Sequence, residues 1–182
     1  MDIPLVNQTV EMMNPVVQQE QVQQNPIIEL AGKKAIQAVE KTEGKLNDVQ
    51  KYIVEHEGFV SGEYLDTKGI KTSGVGQTGE FQDMSFKDTF DTLEKEAKKL
   101  IPKYNKLSTK KKKAIMSLMY RGDLQQSPNT RDLINKGKFK EASVELLNHD
   151  EYRELKAIEL ETGQRSGIAK RLEEASDLLN EK

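Results

Sequence analysis

Residues 57–78 read Glu57-Gly58-Phe59-Val60-Ser61-Gly62-Glu63-Tyr64-Leu65-Asp66-Thr67-Lys68-Gly69-Ile70-Lys71-Thr72-Ser73-Gly74-Val75-Gly76-Gln77-Thr78. Here the pattern of the chain changes from helical to strand-like. Glu57 closes an amphipathic run, Asp66 opens a turn nine residues later, and Thr72 follows six residues further on. Asp66-Thr67-Lys68-Gly69 is a turn tetrad with Gly last, entered by Tyr64-Leu65 and left by Ile70-Lys71-Thr72-Ser73. That order predicts a small, twisted antiparallel unit. Gly74, Gly76 and Gly79 predict bent strands or close backbone approach. A Gly-Val-Gly-Gln-Thr-Gly run lacks the Lys-Ser/Thr ending of a phosphate loop. An acid, a base and a water-orienting hydroxyl fit around one groove here, and paired carboxylates are the usual machinery for cleaving a glycosidic bond. Asp66 has a commoner alternative job, capping the backbone of its own turn.

Immediately upstream, Leu46, Val49 and Ile53 share one helical face, and the next place on that face is Glu57. A carboxylate on an apolar face has two readings. Burial disfavours its charge, which suits a general acid; or it is a structural partner of an arginine, with Arg121, Arg165 and Arg171 available.

Composition narrows the chemistry. The chain has 182 residues, enough for one domain of ordinary size with an appendage. Charged residues are 32% and hydrophobic ones 35%, so the protein is polar yet able to build a core. A formal net charge of −2 gives no electrostatic case for nucleic acid. The absence of cysteine removes disulfides, thiolate metal sites and thiol nucleophiles. His56 and His149 are the only histidines, too few for a histidine-based zinc site or a Ser-His-Asp triad with any choice of partners. No stretch has the length of a membrane span, and the first residues lack a basic segment followed by an apolar one. No export signal, membrane insertion, metal or organic cofactor is expected.

Three segments are expected. Residues 1–27, rich in Gln and punctuated by Pro4, Pro15 and Pro26, cannot bury much apolar area and form an arm, either an unstructured tail or a docking element. Residues 28–45 form a short amphipathic helix and linker, with the helical pattern running over 27–41 through Ile28, Ala31, Ala35 and Val39. This helix either packs on the domain C-terminal to it or binds a partner. Thr42-Glu43-Gly44 breaks it, and a compact domain occupies 46–182.

From Ser85 onward the pattern is helical. Ser85 caps a helix with Phe86, Phe90, Leu93, Ala97 and Leu100 on one face, closed by Pro102. Ser108 or Thr109 caps the next, whose core stripe is Ala114, Ile115, Leu118 and Met119. Lys110–Lys113 precede that stripe as a solvated first turn or as a contact for an anionic glycan or partner; four cations there oppose the helix dipole. Arg121-Gly122-Asp123 is a helix-ending loop. The helical pattern continues through 129–153, and Ser166 or Gly167 opens a last helix containing Ile168, Leu172, Ala175 and Leu178-Leu179.

The set Glu57-Gly58, Tyr64-Leu65-Asp66-Thr67, Gly69 and Thr72-Ser73-Gly74-Val75-Gly76 closely resembles the active-site signature of the T-even bacteriophage lysozyme family, with the same spacing from Glu to Tyr, Glu to Asp and Asp to Thr. Lys113-Ala114-Ile115-Met116-Ser117-Leu118-Met119 resembles that family's central helix. Gly167-Ile168-Ala169-Lys170-Arg171-Leu172-Glu173-Glu174-Ala175 resembles its closing Gly-Leu-x-x-Arg-Arg-x-x-Glu motif. The resemblance spans about residues 46–180; the first 45 have no counterpart in the minimal family domain.

The resemblance implies an α+β, mostly α, two-lobed fold. A small lobe with a short antiparallel sheet joins a larger helical lobe through a long helix, here about 85–101, with the polysaccharide groove between them. It implies a muramidase that cleaves the β-1,4 bond between N-acetylmuramic acid and N-acetylglucosamine in peptidoglycan. Glu57 is then the general acid, Asp66 the base or the stabiliser of oxocarbenium-like charge, and Thr72 the residue positioning the water. Tyr64, Gly76 and Gln77 line the substrate. The family inverts, which needs carboxylates roughly 6.5–9.5 Å apart. Gln77 departs from the His usual at its place, which bears on local stability or pH behaviour more than on catalysis.

Residues 1–45 hold six acidic and four basic residues, leaving 24 of each in the remainder. The domain is thus neutral, whereas the family's endolysins tend to be basic. Together with the Gln-rich arm, this favours a virion-associated enzyme, in a tail or ejected core and held there by tail or core proteins through residues 1–45. The alternative is an endolysin kept in the host cytoplasm until released to the wall. Two further readings are a non-catalytic structural module of a tail, against which the intact Glu57/Asp66/Thr72 set argues, and a lytic transglycosylase, which needs only one Glu.

Overall fold

The computed structural model describes residues 29–65 and 69–181, with Glu29 described by its backbone alone. The expected arm at 1–27, residue Ile28 and the candidate base Asp66 lie outside the described residues.

A strand comes first where a helix was expected. β1 (Glu29–Leu30) pairs antiparallel with β2 (Phe59–Leu65), Glu29 opposite Val60 and Leu30 opposite Phe59. α1 (Lys33–Glu43) begins only after Gly32 turns the chain with φ of 56°. The helical spacing extended to Ala31, but the chain on that side of Gly32 satisfies its backbone groups against β2 instead. Ala35 and Val39 face inward as the pattern required, into the same core as the rest of the chain. α1 therefore packs on the domain C-terminal to it.

Glu43, within the expected helix breaker, is the last residue of α1. Its carboxylate accepts hydrogen bonds from the backbone N–H groups of Phe86 and Lys87, both at 2.8 Å, at the start of α3 (Phe86–Leu100). An anion at a helix N-terminus satisfies orphan donors and complements the dipole. Ser85 adds the expected local cap by accepting from Asp88 N–H at 3.0 Å.

α2 (Asp48–Glu57) opens with a reciprocal capping box. Asn47 accepts from the N–H of Gln50, and the Gln50 side chain accepts from the N–H of Asn47, each at 2.9 Å. Leu46, Ile53 and Val54 are buried. The helix ends at Gly58, whose φ of 77° reverses the chain into β2; a Cβ there would come within 3.0 Å of the Leu30 carbonyl oxygen. Glu57 thus sits at the corner between helix and sheet.

Among the described residues four antiparallel strands form the sheet in the order β1-β2-β3-β4, with β3 at Lys71–Gly74 and β4 at Gln77–Thr78. Tyr64 stands opposite Thr72, and Ser73 opposite Gln77. A register shift between Val60 and Glu63 bends β2.

The rest of the chain is helical: α4 (Thr109–Arg121), α5 (Asp123–Gln126), α6 (Pro128–Asn135), α7 (Phe139–Leu146), α8 (Asp150–Thr162) and α9 (Gly167–Asn180). The pattern expected through 129–153 is divided among α6, α7 and the start of α8, interrupted at Gly137, where φ is 75°, and around His149. α4 is the hub: Ala114 to Met119 are all buried, and the helix packs against α2, α3 and α9. Burial on every side marks a helix enclosed by others. The architecture is mostly helical α+β, with a small antiparallel sheet near the N-terminus and a helical C-terminal region.

Candidate functional site

Glu57 does not stand alone at its corner. Arg171, on α9, donates from Nη1 to Glu57 Oε1 at 2.6 Å and from Nη2 to the His56 carbonyl at 3.0 Å. Both side chains are mostly shielded, with 27% of Arg171 and 16% of Glu57 exposed. Of the three arginines open to Glu57 in the sequence, α9 delivers Arg171. The other carboxylate oxygen lies near Gly76, where a Cβ would come 3.7 Å from Glu57 Oε2. One oxygen is anchored and the other faces the β3–β4 turn, the arrangement that aims a carboxyl group.

Thr72 is buried, and its hydroxyl donates to the Ile70 carbonyl at 3.0 Å. That fixes the rotor and leaves the oxygen's lone pairs as acceptors. Tyr64 is its cross-strand neighbour and partly exposed. Gln77 is buried with its amide committed to the protein. Oε1 accepts from Val75 N–H at 2.8 Å, while Nε2 donates to the Met84 carbonyl at 2.6 Å and to Thr89 Oγ1 at 3.3 Å. Gly74 makes room for this staple, since a Cβ there would sit 2.3 Å from Gln77 Oε1. The side chain standing where the resembled family has His therefore ties the β3–β4 turn to α3.

Gly76 and Gln77 form one wall of a groove of about 270 Å³, faced by Leu93, Glu96, Tyr120 and Arg121 from α3 and α4. The sequence reading missed Tyr120. Its hydroxyl is buried and has no hydrogen-bond partner among the described residues. Burial, then the charges of Glu57 and Glu43, push the phenol well above its ordinary range. Phenolic hydroxyls are usually partnered when buried, so Tyr120 is an exception in the wall of this groove.

The basic run is occupied at home. Lys110 pairs with Glu181, and Lys111 donates to the Glu181 carbonyl at 3.2 Å while lying 4.5 Å over the Phe139 ring. Lys112 lies 5.7 Å over Tyr104 and Lys113 5.5 Å over Tyr52. Contacts of this kind offset the dipole conflict of four cations at one helix start.

Among the described residues no three His, Cys, Asp or Glu side chains converge as metal ligands. None of the described helices is long and apolar enough to cross a membrane. No protein-family model matches the chain, and no curated protein matches it at a significant level.

Proposed function

We propose that this protein is a glycoside hydrolase of the phage-lysozyme type, two-lobed about its groove, that cleaves the β-1,4 bond between N-acetylmuramic acid and N-acetylglucosamine. The observation that carries the reading is the split environment of Glu57. Oε1 is held by the Arg171 guanidinium, and Oε2 is turned toward Gly76 beside the groove. With Oε1 accepting from Arg171, Oε2 is the oxygen from which a proton would pass to the leaving glycosidic oxygen. Asp66, the next residue in sequence after β2, serves the other face of the sugar, and Thr72 accepts a hydrogen bond from the attacking water. Net hydrolysis then inverts the anomeric carbon.

Digestion of purified peptidoglycan with mass analysis of the soluble products tests this. Fragments ending in reducing N-acetylmuramic acid are expected; anhydro ends would mean a transglycosylase. A second reading, a non-catalytic lysozyme-like module of a virion, is favoured by the Glu57–Arg171 ion pair itself, which also serves as a structural tie. Folded protein releasing no fragments would select it.

The Gln- and Pro-containing arm and the neutral domain support a virion-associated setting, with residues 1–45 held by tail or core proteins. Detection of the protein in purified phage particles tests that setting. Deleting residues 1–27 is expected to leave wall cleavage unchanged and to prevent incorporation.

A further inference from the structure

Charge is unevenly placed along this chain. Between Glu94 and Lys113 stand nine of the 28 basic residues and two of the 30 acidic ones, leaving 19 basic and 28 acidic elsewhere. An acidic remainder thus carries one strongly basic corner, where α3 ends and α4 begins. Local pairing and the helix dipole account for only part of it. Lys98 pairs with Glu94 and Lys110 with Glu181, and Lys98 and Lys99 sit in the last turn of α3, where cations complement the dipole. Lys103 and Lys106 follow after the helix has ended. Lys95, Lys99, Lys103 and Lys106 are all exposed, and none has an ion-paired side chain among the described residues.

The corner has a fixed base. Ile101 and Tyr104 are buried beneath it, and Asn135 of α6 donates to the Leu100 carbonyl at 3.0 Å, closing the end of α3. Lys98 and Lys112, from the two helices, bring their ammonium nitrogens to 5.9 and 5.7 Å from the centre of the same Tyr104 ring. Lys103 precedes, and Lys106 closes, the short 3-10 turn that Tyr104 begins. One buried tyrosine therefore gathers lysines from three segments. Like charges so gathered repel one another and build a local positive field. Glu96, the other acid of the stretch, lines the groove.

We propose that this corner binds a flexible polyanion of phosphodiester-linked polyol units, the kind of polymer that decorates bacterial walls. The contents of the corner select the partner. Every cation in it is a lysine, a point charge without the bidentate fork of arginine. Its one aromatic ring is buried and offers no face for stacking bases, on which binding of single-stranded nucleic acid depends. Lys95 and Lys99 stand one turn apart, about 6 Å along α3, and Lys103 and Lys106 come after its end. A jointed chain can lay successive phosphates along cations that turn a corner, whereas a nucleic-acid duplex is too stiff to follow them. The choice of a wall polymer rests on the proposed wall hydrolysis; the binding itself does not. Anchorage here keeps the groove near its substrate between cleavages.

The test is titration of a fluorescent poly(glycerol phosphate) of defined length with the full chain at several salt concentrations. Binding is expected, with log K falling against log salt at a slope of about −3, as for four neutralised phosphates on a single strand. Lys95→Gln, Lys99→Gln, Lys103→Gln and Lys106→Gln combined are expected to weaken binding by at least about tenfold and to flatten that slope. A control combining Lys33→Gln, Lys34→Gln, Lys41→Gln and Lys140→Gln removes the same charge from exposed lysines elsewhere. It is expected to bind within about twofold of wild type, because the local field and not the net charge holds the polymer.

No binding by wild type at low salt, or equal losses in the two variants, overturns the proposal. Tighter binding of single-stranded or duplex DNA with the same number of phosphates also overturns it and makes the corner a nucleic-acid surface. Should the fourfold variant fail to fold, Lys103→Gln/Lys106→Gln decides by the same comparison, set against Lys33→Gln/Lys34→Gln. Polymer binding by a protein that never cleaves peptidoglycan would refute the proposed function and leave this surface standing.

Discussion

Arg171 and Glu57, 114 positions apart in the chain, meet at 2.6 Å at the corner where α2 turns into the sheet. The contact joins the last helix to the first half of the fold and fixes one oxygen of the candidate acid.

Glu57→Gln keeps the size and the acceptor for Arg171 but cannot deliver a proton. Peptidoglycan cleavage is expected to fall by at least about a hundredfold, with an unchanged circular dichroism spectrum and a melting temperature within a few degrees of wild type. Turnover near wild type would remove Glu57 from the acid role.

Arg171→Met leaves the Glu57 carboxylate shielded without its cation. A loss of about 2 kcal/mol is expected, reduced from the cost of a fully buried pair because both groups keep some contact with water. Urea unfolding checks it. Combining Arg171→Met with Glu57→Gln is expected to cost less than Arg171→Met alone, since no charge is then stranded.

Gln77→Ala removes the partners of Val75 N–H and the Met84 carbonyl together. Leaving such groups unsatisfied is expected to cost about 2–3 kcal/mol, read as a lower denaturation midpoint. Faster amide exchange around Val75 is expected with it.

Glu173 accepts from Arg165 at 2.8 Å and from the Tyr152 hydroxyl at 3.0 Å. The Arg165 hydrogen bond, with help from Tyr152 and Lys156, holds its carboxyl below the usual range. A depressed folded-state value adds stability above the ordinary carboxylate range, and that stability disappears as pH falls through the folded-state titration. Glu173→Gln is therefore expected to lower the melting temperature at neutral pH, and to matter progressively less as the buffer is made strongly acidic. The loss at neutral pH is under about 1 kcal/mol, as for a partly solvated pair.

At the alkaline end the sign reverses. Burial raises the phenols of Tyr104 and Tyr120, and that of Tyr52 to about 12. Unfolded phenols ionise near about 10, so the stability these neutral groups lend is intact below that pH and is lost as pH climbs toward Tyr52's value. Phenolate absorbance from these residues is expected to rise together with loss of helical signal. Full ionisation of a still-folded chain would contradict it.

How much of this was legible beforehand varies by element. Local, periodic signals read well. The face of α3 through Phe86, Phe90, Leu93 and Ala97, the Ser85, Ser108 and Ser166 caps, and the strand character of β2 and β3 around Tyr64 and Thr72 depend on neighbours a few residues away. The helix expected from residue 27 begins only at Lys33, because Glu29 and Leu30 take their partners from β2, far along the chain, and periodicity carries no record of them.

The site divides the same way. Sequence alone singled out Glu57, Thr72 and Gly76, and it offered three arginines to Glu57 without a means of choosing. Only the packing of α9 against α4, and the turn of α2 at Gly58, bring Arg171 rather than Arg121 or Arg165 to that carboxylate. The anchoring of Gln77 to Met84 and Thr89, the capping of α3 by Glu43, and the approach of Glu174 to His56 are likewise contacts between distant segments. A chain's local preferences fix its elements, but which charged groups meet is settled by how those elements pack, because an ion pair needs proximity and not sequence adjacency.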